Sequence, residues 1–186
     1  MRSLPEDRTT VRTYGALGVG IAGLILFLGY FVLPIPVPAV DTLTARLVFT
    51  IRWQTLPVLT LMAGIIHVAN TRLQTSAIDP LSGRGEHLVG FYKRYIRNTQ
   101  EQLSLHLIGQ LALCTFVNLE SMTLIPTFAF LFLIGRIVFW IGYKRNPLHR
   151  GTGFAMTFFP TLLTILFCII SLFISGPNFL IHDNLT

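Results

Sequence analysis

The chain has 186 residues, 52% of them hydrophobic and only 12% charged, with a mean hydropathy of +0.65. A soluble domain carries about a quarter charged residues, so composition excludes one and describes an integral membrane protein. The net charge of +6 does not signal a nucleic-acid partner, because the basic residues sit in short segments between apolar runs and no DNA- or RNA-binding motif is present.

A bilayer core is spanned by about 20 mostly apolar helical residues, and five stretches qualify: about 14–33, 46–69, 99–117, 124–143 and 153–175. The first is long for a signal-peptide core and runs into "LPIPVPAV" rather than a small-residue cleavage site, so it reads as a retained span. Its Gly15, Gly18, Gly20 and Gly23, with small pairs four apart, are spaced for close helix packing. Pro34, Pro36 and Pro38 then enforce a short extended spacer.

Basic residues alternate between connections. Arg2, Arg8 and Arg12 precede span one; Arg72, Arg84, Lys93, Arg94 and Arg97 join spans two and three; Lys144, Arg145 and Arg150 join spans four and five. The intervening connections hold only Arg46 with Asp41, and Glu120. The positive-inside rule therefore predicts a cytoplasmic N-terminus and a lumenal or extracellular C-terminus. Asn184-Leu-Thr forms a glycosylation sequon on that far side. Residues 1–44 read as tail, first span and spacer, 45–176 as a four-helix membrane unit, and 177–186 as a lumenal tail.

The segment "YKRYIRNTQE", residues 92–101, meets a span with an unusual density of polar groups. At about 100° per residue, Arg94, Arg97, Asn98 and Glu101 fall within an arc of roughly 100°. Two readings fit. The face could grip a zwitterionic ligand, arginines on carboxylates and glutamate on an ammonium. Alternatively, Arg97 pairs with Glu101 at i,i+4 while Arg94 reaches for headgroups.

Arg136 lies about two turns inside span four, with Tyr143 on its face at i+7, and Arg150 opens span five. All three segments reach the cytoplasmic side, so their polar groups can converge. Gln102, His106 and Gln110 form a polar stripe suited to interhelical hydrogen bonds, or secondarily to lining a cavity. His106 has no second histidine or carboxylate at ligand spacing, so no metal site is predicted. No nucleophile–base constellation is evident, and Cys114 and Cys168 lie in apolar runs where thiols act as small hydrophobes.

Arg-x3-Asn-x2-Glu in "RYIRNTQE" resembles the signature of the membrane-associated proteins in eicosanoid and glutathione metabolism, the MAPEG superfamily. The extra Arg97 resembles its prostaglandin E synthases, and "GRIVFWIGY" resembles that family's Arg-x2-Tyr-x3-Tyr segment. The extra first span, the Pro-bearing spacer, "ARLVFTIR" and "RGTGFAMTFFP" resemble its transmembrane protein 79, or mattrin, branch. The resemblance implies an all-α MAPEG-like four-helix bundle preceded by one extra helix. It further implies a homotrimer in the endoplasmic reticulum or another endomembrane, with glutathione bound between subunits near the cytoplasmic face.

By position, Arg94, Asn98 and Glu101 would hold glutathione, assisted by Arg97. Arg136 and Tyr143 would line the pocket, Arg72 would meet a terminal carboxylate, and Arg150 would favour the thiolate. The implied activity is a glutathione-dependent transferase or peroxidase acting on lipophilic electrophiles or lipid hydroperoxides. Two departures stand out: Phe139 replaces the family's first Tyr, and Gly151 and Phe154 replace the Ser and Tyr of the prostaglandin E synthase type. They leave a second class open, a catalytically inactive mattrin-like scaffold or trafficking regulator that binds other membrane proteins.

Overall fold

The structure, a computed structural model, describes residues 4–177. Arg2 and most of the expected C-terminal tail, with its Asn184 sequon, lie outside the described residues. Six α-helices form the framework: α1 Leu4–Phe27, α2 Leu43–Trp53, α3 Thr55–Leu73, α4 Glu86–Phe116, α5 Leu124–Arg145 and α6 Gly151–Ser175. No strand occurs among the described residues.

Among the described residues, four helical stretches are long and apolar enough to cross a membrane: Leu4–Val32, Leu43–Leu73, Glu120–Arg145 and Gly151–Ser175. The expected third span, 99–117, is part of α4, which does not meet that standard because Gln102, His106 and Gln110 interrupt its apolar run. These polar residues are buried, so α4 is packed among the other helices and does not show its polar face to lipid. It pairs antiparallel with the α2–α3 stretch: the Tyr95 hydroxyl donates to the Thr60 carbonyl at 3.1 Å, and Arg46 Nη1 donates to the Val117 carbonyl at 2.6 Å.

Local chemistry sets the breaks. Pro57 lacks an N–H and its ring crowds the carbonyl four residues earlier, so the long second span divides at Gln54 into α2 and α3. α1 ends in a widened turn, Leu28–Val32, in which the Leu33 N–H donates to the Leu28 carbonyl, before Pro34 stops it. Gly85, in the left-handed region at φ 71°, opens α4, so "YKRYIRNTQE" lies wholly inside a helix instead of entering one from a loop.

α1 lies against α6 through its small residues. A Cβ on Gly18 would sit 2.2 Å from the Thr152 carbonyl oxygen, and Ala22 is buried. α5 and α6 approach as closely at Gly153, where a Cβ would sit 2.2 Å from the Phe139 nitrogen. Backbones can come this near only where side chains are absent. The second contact draws the start of α6 onto the end of α5, and the candidate site forms there.

Candidate functional site

A cavity of about 390 Å³ opens where α1, α4, α5 and α6 meet. Arg94 and Asn98 enter it from α4, Phe139 and Tyr143 from α5, and Arg150 from the cap of α6, with Val11, Leu148 and Phe154 among its apolar walls. The turn between α5 and α6 is short and internally bonded: Asn146 Oδ1 accepts from the Leu148 N–H at 2.9 Å, and the His149 N–H donates to the Asn146 carbonyl at 2.9 Å. This turn sets the Arg150 guanidinium 5.0 Å from the centre of the Tyr143 ring, within cation–π range. The Tyr14 ring of α1 stacks on His149 at 4.2 Å, closing the rim beside Val11.

Arg136 stands behind the cavity wall and is fully buried. Nη1 donates to Asn98 Oδ1 at 3.1 Å and Nη2 to Thr99 Oγ1 at 2.8 Å. Its guanidinium lies 4.1 Å from the Phe139 ring centre and 5.4 Å from that of Tyr95. A buried guanidinium demands such partners, and here they fix Asn98, which faces the cavity. The ring of Phe139 thus supports the cation.

The helical arc predicted on α4 divides between two directions. Arg94 and Asn98 line the cavity. Arg97 and Glu101 point outward, their side chains 85% and 62% exposed, and face each other at 3.8 Å. Arg72 is engaged elsewhere, donating to the Ala77 carbonyl at 2.6 Å and to Glu86 Oε1 at 2.7 Å, so it braces the connection between α3 and α4. Neither Arg94 nor Arg150 forms an ion pair among the described residues.

Sequence reasoning did not identify Val11, Leu148, Thr99 or Glu86. Thr99 neighbours Asn98 and was open to detection by helical spacing. Val11 carries no local signal, because it reaches the site only through the packing of α1. Glu86 takes Lys93 as well as Arg72, and these partners, Lys93 first, hold its carboxyl below the usual carboxylate range.

Chemically, the cavity offers two unneutralised cations, an amide and an aromatic ring over apolar walls. This arrangement suits an acidic, partly apolar small molecule. Its volume falls in the range of small-molecule sites, about 300–1,000 Å³. No carboxylate lines it, so the residues present fit the acidic groups of a ligand and not an ammonium.

Comparison with known proteins agrees with the architecture. Transmembrane protein 79 of Mus musculus is 25% identical over 154 residues, which cover 83% of this chain and 39% of that protein. The Bos taurus protein of the same name is 24% identical over 173 residues, 92% of this chain and 44% of its own. The chain therefore spans less than half the length of these relatives. No solved structure matches it. A sequence model of the MAPEG family matches residues 46–170, which takes in α3 to α5 whole, all but the start of α2 and α6 as far as Ile170, and the chain belongs to that family.

Proposed function

We propose that the protein binds glutathione in the Arg94–Arg150 cavity and uses it as a transferase or peroxidase on lipophilic electrophiles or lipid hydroperoxides. The observation that carries this reading is the convergence of Arg94, Asn98, Tyr143 and Arg150 on one cavity, with both arginines free of ion pairs among the described residues. Arg94 and Asn98 take a carboxylate, which arginine binds through two parallel hydrogen bonds. Glutathione supplies a thiol, nucleophile in the transferase reaction and reductant in the peroxidase reaction. Arg150, a cation at the cavity rim, favours the thiolate over the thiol by charge. Apolar walls at Phe154, Leu148 and Val11 receive the lipophilic partner arriving from the bilayer.

In this reading α4 is a fifth crossing, the N-terminus is cytoplasmic and the cavity faces the cytoplasm. The chain forms a homotrimer in the endoplasmic reticulum or another endomembrane. The outward-facing Arg97 and Glu101 meet a neighbouring copy, and Glu101 provides the ammonium partner that the cavity itself lacks. Arg136 acts through Asn98, and Arg72 braces the connection leading into α4.

A second reading, the mattrin-like scaffold without catalysis, is favoured by one observation. At the start of α6, Gly151 packs under α1, with the site of its missing Cβ 3.4 Å from the Val11 carbonyl oxygen and 3.5 Å from Tyr14 Cβ. α1 therefore lies against the position where the synthase type carries a serine hydroxyl.

Calorimetry with glutathione on the detergent-solubilised protein separates the two. Micromolar-to-millimolar binding that Arg94→Ala abolishes supports the first reading. Absence of binding by a well-folded oligomer leaves the scaffold.

A further inference from the structure

Behind the Asn98–Arg136 contact the bundle interior is polar. Gln102, His106 and Gln110 lie on one face of α4 and are 4%, 2% and 1% exposed, and Gln54, at the break between α2 and α3, is 3% exposed. Helical angles place all three α4 residues, with Thr99, within roughly 80° of one another. That face looks toward α5, because Thr99 takes Arg136 and the His106 ring lies 4.6 Å from the Phe132 ring. Gln54 stands opposite the middle of α4, between the Tyr95–Thr60 and Arg46–Val117 contacts that fix the antiparallel register.

Several of their hydrogen-bonding atoms have no protein partner. Both amide atoms of Gln54, Oε1 of Gln102, Nε2 of His106 and Oε1 of Gln110 are buried without one, as is Arg136 Nε at the cavity end. A buried polar atom left unsatisfied is costly, and six in one region of a folded bundle call for partners that the protein itself does not supply. The set mixes acceptors, the glutamine oxygens, with donors such as Gln54 Nε2 and Arg136 Nε, and no hydrogen bond joins them. A water molecule donates and accepts and needs about three partners, which clustered amides and an imidazole provide.

We infer that the middle of the bundle is an internal hydrated site in which water molecules bridge Gln54, Gln102, His106 and Gln110. From Asn98 to Gln110 it follows α4 for about 18 Å, and Arg136 forms its boundary with the cavity. This inference stands whether or not glutathione binds. It makes the polar stripe a water-bearing extension of the cavity into the membrane's apolar layer, and it explains how α4 lies among four apolar helices.

The test is water-proton transfer in solid-state NMR on the full chain in phosphatidylcholine liposomes, with histidine labelled with nitrogen-15. The chain has five histidines, and the His106 signal is assigned as the one lost in His106→Phe. The expected result is transfer from water to the His106 ring, lost in Gln102→Leu/Gln110→Leu, or in Gln110→Leu alone should the double variant not fold. A silent His106 beside a responding, exposed His67 overturns the inference. Transfer that survives unchanged in the glutamine variants overturns it as well.

Discussion

The two ends of the helix bundle use arginine in opposite ways. At the Val117 end, Arg46 is consumed by the scaffold: Nε donates to the Val40 carbonyl at 3.2 Å and Nη1 to the Val117 carbonyl at 2.6 Å. Around it Leu113, Cys114, Met122 and Ile125 close an apolar core, and the nearby cavity of about 350 Å³ is lined mainly by Leu26, Phe128, Leu163 and Phe167 with their apolar neighbours. At the other end Arg136 is consumed in the same manner, but it stabilises a wall from which Arg94 and Arg150 stand free. A guanidinium whose donors no neighbour takes is open to a ligand, whereas one whose donors are held by carbonyl, amide or hydroxyl oxygens is structural. The contrast is the ground on which binding is proposed at one end and structural closure at the other.

The strongest way to break the contrast is Arg136→Met. It keeps the bulk but leaves Asn98 Oδ1 and Thr99 Oγ1 without their donors, and the expected loss is about 3 kcal/mol. Arg46→Met removes two bonds from a less enclosed position and is expected to cost about 1–2 kcal/mol. Thermal unfolding in detergent reads both, and only Arg136→Met should also weaken ligand binding, through Asn98. Equal effects on binding would collapse the distinction between the ends.

A smaller effect sharpens it. Gly18→Ala, at the Arg94 end, drives a methyl against the Thr152 carbonyl at 2.2 Å, and backbone cannot move aside. Gly29→Ala, at the other end, meets the Thr127 methyl at 2.5 Å, a side-chain contact and not a backbone one. Overpacking of the first kind costs about 2 kcal/mol and the second about 1 kcal/mol. Because α1 carries Val11 and Tyr14 to the cavity rim, Gly18→Ala is expected to alter ligand affinity while Gly29→Ala leaves it unchanged. Calorimetry on the two variants checks the ordering.

Legibility in the sequence followed the range of the interactions. Hydropathy marked five spans, four of which are long apolar helices among the described residues, because burial in lipid demands long apolar runs, and helical spacing brought Arg94 beside Asn98. The same spacing also made Arg97 and Glu101 neighbours, which is why the ligand reading and the ion-pair reading of that arc could not be separated locally. What splits the arc is the position of α5 and α6, fixed by glycine contacts between helices far apart in sequence. Val11 was invisible for the same reason. The break at Gln54 follows from Pro57, but the burial of its amide depends on α4 and is not written in local sequence.

The smallest predicted effect lies outside the membrane, on the connection leading to the site. Lys93, and secondarily Arg72, lower the pKa of Glu86 from its ordinary 4.5. With a folded pKa below the unfolded one, the contribution to stability is fully present above about pH 4.5 and declines as pH falls through the folded value, where the carboxyl protonates and both partners lose their acceptor. The carboxyl is solvent-exposed, so screening keeps the effect small. Glu86→Gln is therefore expected to lower Tm slightly at pH 7 and to converge on the native chain as pH falls progressively below 4.5. Tm measured for both chains across that interval checks the sign. A difference that grows on acidification would mean that Arg72 and Lys93 do not hold the start of α4 through this carboxylate, and the brace at the base of the site would need another origin.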